Sequence, residues 1–393
     1  MTTCETQITA DNKPTKAIAS ESNSLPDSTN PTSQQVRVGL GQRSYTIEIG
    51  AGRLKDRLAD DLKDHLTGEH VVLVTDDVVA PLYLDEVTET IEQLASRVDP
   101  IIVPSGEPSK SVATCDKAWQ QMVAFNTDRK SVVVALGGGV VGDLAGFLAA
   151  TYGRGLKFVQ IPTTLLAQVD SSVGGKVGIN LPQSKNMVGA FWQPQAVLID
   201  PLVLNSLDEA NYRAGLAEVI KYGLIMDLPL LEYLESSVGS LNNRDPDTLT
   251  KTIAWCCQCK ATVVEEDEKE TSGRRAILNY GHTYGHAIEA VFGYGRFLHG
   301  QAISIGMTCA GRLARNLGMV DQAFLDRQTK LFQAVGLPTD CPDEKHQELV
   351  DAMKHDKKVS RGKLILILPT EIGNVKEVPS PGDDKLLKSL QND

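Results

Sequence analysis

The chain has 393 residues and a formal net charge of −11. This length exceeds the usual limit of one hydrophobic core, so it predicts two domains and excludes a small disulfide-stapled scaffold. The acidic balance offers no general attraction to nucleic acid or anionic lipid. We therefore expect neither a nucleic-acid nor a membrane partner, and any anionic ligand must be held by a local cluster of Lys and Arg.

The first 35 residues predict a disordered tail. Residues 1–35 are rich in Ser, Thr, Asn and Pro, contain no Arg and include acidic residues, which fits neither a secretory signal nor an Arg-rich transit peptide. The seven cysteines are odd in number and irregularly spaced, which is typical of reduced thiols. We expect a cytoplasmic protein whose folded part begins at residue 36.

An α/β domain is predicted over residues 36–204. The alternating pattern of residues 36–50 around Gly-Gln-Arg predicts a β-hairpin. Amphipathic segments at about 81–97 and 110–126 predict helices, and a short apolar helix follows the next glycines. Alternation of buried strands with helices favours a parallel sheet covered on both faces. The strands are predicted from continuous apolar runs at 71–74, 101–104, 132–136, 158–161 and 196–199.

A second, mainly helical domain is predicted over residues 205–393. Strand-like sequence is nearly absent there until residues 364–369. Because α/β sheets bind ligands at the carboxyl ends of their strands, we expect the site between the two domains. Helical spacing occurs at 211–238, 248–268, 281–292, 301–316 and 322–335.

Three glycines suggest a dinucleotide site. Gly137, Gly138 and Gly139 follow a predicted buried strand and open a helix, where free N–H groups can meet a pyrophosphate. The spacing is not GxGxxG, and a tight turn that needs glycine only for its shape is the alternative. Thr163 and Thr164 follow the next strand, where they can contact the same dinucleotide or simply form a turn.

Three of the seven histidines lie within residues 282–299 and suggest a metal site. His282 and His286 are four residues apart, so they share one face of a helix, and a Gly-rich loop could return His299 toward them. Satisfied core histidines are the alternative. Glu218 lies three residues before Lys221 in an apolar segment, where metal coordination would remove the cost of burying a carboxylate. An ordinary surface ion pair is the other interpretation.

Polar groups interleaved with Gly174, Gly175 and Gly178 in residues 169–189 predict a binding loop for phosphate or carboxylate. A flexible solvated loop is the alternative, although it would not explain the interleaved Val173, Val177 and Ile179. Further cationic and amide groups follow in the helical half. The whole set is Arg154, Asp170, Lys176, Asn180, Lys185, Asn186, Lys260, Arg275, Asn279 and Lys357.

Taken together, these segments resemble the 3-dehydroquinate synthases of the sugar-phosphate cyclase family, from about Val36 to the C-terminus. The most specific motifs are GGGVVGDLAGFLAATYGRG, QIPTTLLAQVDSSVGGKVGIN, KNMVGAFWQP, GLAEVIKYGLI, LNYGHTYGHAIE, FLHGQAISIGM and DKKVSRGKLILILP. Two departures occur before the Glu218 helix. Ala210 and Asn211 stand where that family commonly has Arg and Glu, and Ser206 replaces a usual Thr, which affects local cofactor contacts or the entry of the helix.

The resemblance implies that Glu218, His282 and His299 bind one divalent metal, zinc or cobalt. His286 then acts on the substrate side or in proton transfer, which overrules the metal pair suggested by spacing. Asp76, after the first parallel strand, is a candidate partner for the cofactor ribose. The NAD-binding residues implied are Glu107, Lys110, Gly138, Gly139, Asp143, Thr163 and Thr164. The implied catalytic residues are Lys176, Lys221, Lys260, Arg275, Asn279 and His286, and the implied substrate-binding residues are Arg154, Asp170, Lys185, Asn186 and Lys357.

The implied reaction converts 3-deoxy-D-arabino-heptulosonate 7-phosphate to 3-dehydroquinate and phosphate, with transient reduction of NAD, in the shikimate pathway. The implied partners are this small phosphorylated sugar acid and a second copy of the chain in a homodimer. Another sugar-phosphate cyclase and a metal-dependent polyol dehydrogenase are the alternatives. The dehydrogenase does not explain a cluster of four lysines, which are Lys176, Lys185, Lys221 and Lys260. Lys260, Asn279 and His286 together favour a carboxylated substrate over that of another cyclase.

Overall fold

The computed structural model describes residues 33–182, 184–293, 295–354, 359–360 and 363–392. Lys357 and residues 1–32 of the expected tail lie outside these ranges. Residues 33–35, expected to end the tail, instead begin a strand, because Ser33 pairs with Gly50 in an antiparallel ladder. Backbone hydrogen bonds extend that strand although its side chains are polar.

The described strands form one large sheet and two small ones. The large sheet has the order β1-β2-β9-β6-β5-β3-β4, in which β1 and β2 are antiparallel and the other pairs are parallel. The strands are β1 (Ser33–Val38), β2 (Tyr45–Gly50), β3 (His70–Asp76), β4 (Arg97–Val103), β5 (Val132–Gly137), β6 (Lys157–Pro162), β7 (Lys176–Leu181), β8 (Ser184–Phe191), β9 (Ala196–Ile199), β10 (Val359–Ser360), β11 (Lys363–Glu371) and β12 (Asn374–Pro379).

The helices of the described residues divide between the two halves of the chain. The first five flank the large sheet and the remaining nine follow it. They are α1 (Arg53–Asp56), α2 (Leu58–Leu66), α3 (Ala80–Glu92), α4 (Val112–Ala124), α5 (Gly139–Thr151), α6 (Glu209–Met226), α7 (Leu228–Ser236), α8 (Val238–Asn242), α9 (Pro246–Glu266), α10 (His282–Phe292), α11 (His299–Asn316), α12 (Gln322–Ala334), α13 (His346–Lys354) and α14 (Asp383–Leu390).

The predicted α/β architecture is confirmed. Side chains of β3 alternate between the two faces: Val72 and Val74 pack with α4 and α5, while Val71 and Leu73 pack with α2 and α3. This alternation follows from the period of two in a strand. The helix predicted at 81–97 ends at Glu92, because Arg97 already belongs to the edge strand β4, which begins four residues before the apolar run predicted at 101–104.

The mainly helical second half is also confirmed. The predicted helix at 211–238 is broken at Asp227, whose carboxylate accepts a hydrogen bond from the N–H of Leu230 and caps α7 (2.8 Å). The boundary between residues 204 and 205 stays a prediction, since α9 packs with β1 and β2 in a core that crosses it. None of the helices that the structure describes has the length and apolar composition needed to span a membrane.

The loop predicted over residues 169–189 is instead largely an antiparallel hairpin, β7–β8. Two glycines permit its close backbone approach, since a Cβ on Gly189 would lie 2.3 Å from the carbonyl oxygen of Val177. Val177 and Ile179 are buried against α5. These apolar side chains, interleaved with glycines and polar groups, therefore attach the hairpin to the sheet domain.

The departures at Ser206, just before α6, and at Ala210 and Asn211, in its first turn, leave the start of the helix intact. Asp208 caps the helix by accepting two hydrogen bonds from Asn211, one from its backbone N–H (3.0 Å) and one from its side-chain amide (2.7 Å). Ser206 contacts the hydroxyl of Tyr83 (2.7 Å). A side-chain cap of this kind satisfies N–H groups that the first helical turn leaves unpaired, so Asn211 supports the start of α6.

Candidate active site

Three side chains from three helices converge in the helical half. Glu218 on α6, His282 on α10 and His299 on α11 place one ligand atom each within 4.8 Å of one another. Oε1 of Glu218 lies 3.7 Å from Nε2 of His282 and 4.0 Å from Nε2 of His299. Two imidazoles and a carboxylate with such spacing are a donor set typical of a catalytic zinc-type site.

The hydrogen bonds of the two imidazoles suit metal binding. Nδ1 of His282 lies 3.2 Å from the carbonyl oxygen of Tyr280, and Nδ1 of His299 lies 3.4 Å from Oε2 of Glu289. When each Nδ1 carries the proton, each Nε2 keeps its lone pair toward Glu218. The Tyr280 carbonyl and the Glu289 carboxylate therefore favour the tautomers that a metal ion requires.

Glu218 is only 1% exposed, and Oε1 of its carboxylate has no hydrogen-bond partner among the described residues. Its other oxygen contacts the ammonium group of Lys221, which is also 1% exposed. A buried carboxylate with an unsatisfied oxygen is costly unless a cation joins it. The donor set and this unsatisfied oxygen both fit a divalent cation.

His286 lies beside this group. Its ring centroid is 5.4 Å from that of His282 and 6.2 Å from that of His299. A second possible ligand group in the described chain combines His286 with Glu289 and His299. His282 and His286 do not occur together in either group, so the pair suggested by the four-residue spacing is not the arrangement that the structure brings together.

Close helix packing creates the convergence. The backbone of Gly300 approaches α6 so closely that a Cβ there would lie 1.8 Å from the carbonyl oxygen of Ala214. On the other side of α11, a Cβ on Gly306 would lie 2.2 Å from the carbonyl oxygen of Gly281. Glycines at these crossings let three backbones meet within the reach of short side chains.

The predicted cofactor residues gather at the carboxyl ends of β3, β4, β5 and β6. Gly138 is the N-terminal cap of α5, and a Cβ on it would lie 3.0 Å from Cγ2 of Thr164. The hydroxyl of Thr163 is buried and has no hydrogen-bond partner among the described residues. Asp76 accepts hydrogen bonds from the N–H groups of Val78 (3.0 Å) and Val79 (2.8 Å), so it also has a local role before α3.

A polar network joins this edge to the β7–β8 hairpin. The buried ammonium group of Lys110 donates to Asp143 (2.7 Å) and to the side-chain oxygen of Asn186 (2.6 Å). The amide of Asn180 donates to Glu107 (2.8 Å), and its oxygen accepts from the N–H of Asn186 (2.8 Å). Residues expected on the cofactor and on the substrate are thereby joined in one network.

The predicted cation Lys260 has an acidic partner in the structure. Lys260 donates to the Asp170 carboxylate (2.7 Å), which also accepts from the hydroxyl of Tyr222 (3.1 Å). Burial acts to raise the pKa of Asp170, but the ammonium groups of Lys260 and Lys221 outweigh it and hold this pKa well below its usual range. Burial lowers the pKa of Lys260, and Asp170 offsets part of this effect.

Other predicted residues lie in different surroundings. Lys176 contacts Glu270, which also lies 3.6 Å from buried Arg275. Asn279 ends a half-buried 3-10 turn. Arg154 is exposed with a φ of 70°, and among the described residues no hydrogen bond or ion pair joins it to the site.

Sequence reasoning did not single out Glu289, Tyr222 or Glu270. Glu289 lies seven residues after His282 and three after His286, so helical spacing alone places it on their face. Tyr222 and Glu270 carry no comparable signal. Their contacts with Asp170 and Lys176 join segments far apart in the chain.

We expect Asp170→Asn to lower the free energy of unfolding near neutral pH by about 2 kcal/mol, less than the ~3–5 kcal/mol of a fully buried pair because the Asp170 side chain is 30% exposed. A depressed carboxyl pKa contributes stability above the unfolded pKa and loses it as pH falls toward the folded pKa. The difference from wild type should therefore shrink below about pH 3.9, the ordinary Asp value. Urea unfolding across this pH range measures it.

The matched control is Asp60→Asn, whose side chain is 75% exposed. It should stay within about 0.5 kcal/mol of wild type, as surface substitutions commonly do. A destabilisation by Asp170→Asn that does not change with pH would contradict the assignment of the effect to the Asp170 charge.

Comparison with known families identifies relatives of this chain. Residues 100–214 match the family model described as 3-dehydroquinate synthase N-terminal, and residues 215–359 match the one described as 3-dehydroquinate synthase C-terminal. The 3-dehydroquinate synthase of Rhodopirellula baltica is 48% identical over 362 residues, 91% of this chain and 96% of the relative. That of Desulforamulus reducens is 50% identical over 341 residues, 86% of this chain and 94% of the relative.

Solved structures with the same fold include two other cyclases. A 2-deoxy-scyllo-inosose synthase complexed with carbaglucose-6-phosphate, NAD+ and Co2+ has a TM-score of 0.83 and 26% identity, covering 91% of this chain and 99% of the other. The 2-epi-5-epi-valiolone synthase of Streptomyces hygroscopicus with NAD+ and Zn2+ has a TM-score of 0.81 and 26% identity, covering 88% and 95%. A probable glycerol dehydrogenase of Sinorhizobium meliloti has a TM-score of 0.59 and 12% identity. The match covers 86% of this chain and 94% of the other, and it shows a shared fold alone.

Proposed function

This chain belongs to the 3-dehydroquinate synthase family, and on that premise we propose how its residues convert 3-deoxy-D-arabino-heptulosonate 7-phosphate to 3-dehydroquinate and phosphate. The observation that supports the proposal most directly is the convergence of Glu218, His282 and His299 beside the buried ammonium group of Lys221. A metal-ligand set next to a buried cation suits a substrate that carries hydroxyl groups and negative charge.

In this proposal, Glu218, His282 and His299 hold the divalent metal, and the glycine turn with Thr163 and Thr164 holds NAD. When bound, NAD would supply a reversible acceptor for the hydride on C5 of the substrate, whose hydroxyl loses its proton to become a ketone, and the metal would supply a Lewis acid. Glu107, Lys110 and Asp143 hold the cofactor edge together through their mutual contacts. Asp76 remains a proposed ribose partner through its second carboxylate oxygen.

We assign the anionic groups of the substrate to the cations around the trio. Lys221 is fixed against Glu218, so it can bind only a group that reaches the metal site. Lys176 and Arg275 share Glu270, and a phosphate or carboxylate can replace that carboxylate without leaving either cation unpaired. Arg154, Lys185, Asn186, Asn279 and Lys357 complete the proposed substrate set.

Asp170 and His286 have different proposed roles. Asp170 keeps Lys260 charged and directed, because Lys260 donates to both its carboxylate and its carbonyl oxygen. The ring centroid of His286 lies 5.4 Å and 6.2 Å from those of His282 and His299. From this position His286 can move a proton between substrate and solvent. No net oxidation results, since the hydride taken from the substrate returns to it.

The test is to incubate the purified chain with the heptulosonate phosphate, catalytic NAD and either Zn2+ or Co2+, and to measure phosphate, ring product and NADH. We expect many phosphates released per NAD and no steady accumulation of NADH. NADH that accumulated in proportion to consumed substrate, particularly with glycerol-like alcohols, would favour the polyol dehydrogenases that share this fold. A hexose 6-phosphate without a carboxylate should release no phosphate, which separates this activity from that of other cyclases.

We also propose that the chain acts as a cytoplasmic homodimer. Support comes from the resemblance and from cysteines typical of a reducing compartment. The described residues present exposed apolar side chains such as Val78, Leu82 and Ile102, which a second copy of the chain could cover. Light scattering of the purified protein should give about twice the 42.5 kDa chain mass.

A further inference from the structure

Glu289 lies between a proposed metal ligand and a proposed substrate cation. It is on α10, is 9% exposed, and extends one carboxylate oxygen to each neighbour. Oε2 lies 3.4 Å from Nδ1 of His299, and Oε1 lies 3.7 Å from Nζ of Lys185. A nearly buried carboxylate between these groups has a defined orientation toward both.

We propose that Glu289 is a positioning residue, which holds the His299 ring in the tautomer and orientation needed for Nε2 to face Glu218. The inference rests on the metal trio of the proposed function. An acceptor at Nδ1 keeps the proton there and leaves Nε2 unprotonated, and a carboxylate acceptor also makes the imidazole a stronger ligand. For His282 the carbonyl oxygen of Tyr280 occupies the corresponding position.

Direct metal binding by Glu289 is the competing arrangement, since Glu289, His286 and His299 also form a possible ligand group. A cation held by Glu289, His286 and His299 would leave Oε1 of Glu218 without a compensating positive charge, although Glu218 is only 1% exposed. It would also need Glu289 to exchange its contact with Nδ1 of His299 for the metal. The geometry therefore favours Glu218 as the ligand and Glu289 as the support of His299.

The contact with Lys185 extends this role to the substrate. Lys185 is on β8 of the hairpin, and its side chain is 33% exposed, so without an anchor its flexible stem has several conformations available. Glu289 restrains the ammonium group near the metal site by its charge. Loss of Glu289 should therefore raise KM for the heptulosonate phosphate as well as weaken metal binding.

The experiment titrates Co2+ into metal-free full-length protein and follows visible absorption and chelator competition. We expect Glu289→Ala to raise the Kd for Co2+ about 10–100-fold, the usual effect of removing such a support. Glu289→Gln retains an acceptor oxygen for Nδ1–H and should recover most of that affinity with an unchanged absorption spectrum. The control Glu235→Gln, at an ion pair with Arg327 outside the site, should bind Co2+ as wild type does.

Two outcomes would overturn the inference. Wild-type Co2+ affinity in Glu289→Ala would show that the Glu289 carboxylate does not position His299. A Glu289→Gln absorption spectrum with altered Co2+ coordination would identify Glu289 as a metal ligand. Glu218→Gln, measured in parallel, keeps the proposed function separate. If Glu218→Gln retains Co2+, the trio itself is wrong, whereas loss in Glu218→Gln with none in Glu289→Ala refutes only the positioning role.

Discussion

Replacing Glu218 by glutamine is expected to weaken Co2+ or Zn2+ binding by more than about 100-fold, beyond the usual loss from a supporting residue, and to abolish phosphate release. Glutamine preserves the shape of the side chain but removes the charge that the buried site uses to compensate a cation. Glu218 has only 1% exposure, so water cannot supply the missing interaction. Chelator competition measures the affinity, and phosphate assays at saturating metal measure turnover.

Loss of the fold must be separated from loss of the metal in this experiment. Glu218→Gln removes the charge facing Lys221, so its thermal unfolding should be compared with that of metal-free wild type. We expect His282→Ala to lose metal in the same way without affecting that ion pair. Normal turnover by either variant in the presence of chelator would contradict the proposed site.

The second large effect is expected from Gly300→Ala. The added methyl group would lie 1.8 Å from the carbonyl oxygen and 2.5 Å from the carbonyl carbon of Ala214, which are backbone atoms that no rotamer change can move. We expect destabilisation of at least about 1–3 kcal/mol, as in other overpacked cores. Because α11 must move away from α6, His299 should also separate from Glu218 and metal affinity should fall. Urea unfolding and Co2+ titration measure these two effects.

Gly239→Ala is the matched control. Gly239 is in the short helix α8, and a Cβ there meets nothing within 4 Å. This replacement should be neutral or stabilise by about 0.4–1 kcal/mol, because alanine reduces the freedom of the unfolded chain. Wild-type stability and Co2+ affinity in Gly300→Ala would show that the α6–α11 crossing is looser than its geometry indicates.

Local patterns were sufficient to predict much of the fold. The apolar runs of β3, β5 and β6 are buried on both faces, so their composition alone is informative. For the edge strand β4, only Ile101–Val103 carry a continuous apolar signal, so the strand is predicted at 101–104 and its first residue, Arg97, resembles the end of the preceding helix. The β7–β8 hairpin was interpreted as a loop, because close pairing through Gly178 and Gly189 depends on backbone contacts that carry no side-chain signal.

By itself the sequence determined the alternation of strands and helices, the glycine turn after β5 and the residue types of the site, because these depend on neighbours along the chain. The resemblance implies His282 and His299 as the partners of Glu218, but only the tertiary structure shows how the chain brings them to face it. By helical spacing alone, His282 and His286 are equally good candidates for a metal ligand. The close helix crossings at Gly300 and Gly306 instead bring His299 beside Glu218. The position of Glu289 between His299 and Lys185 was decided in the same way, since that contact joins α10, α11 and β8.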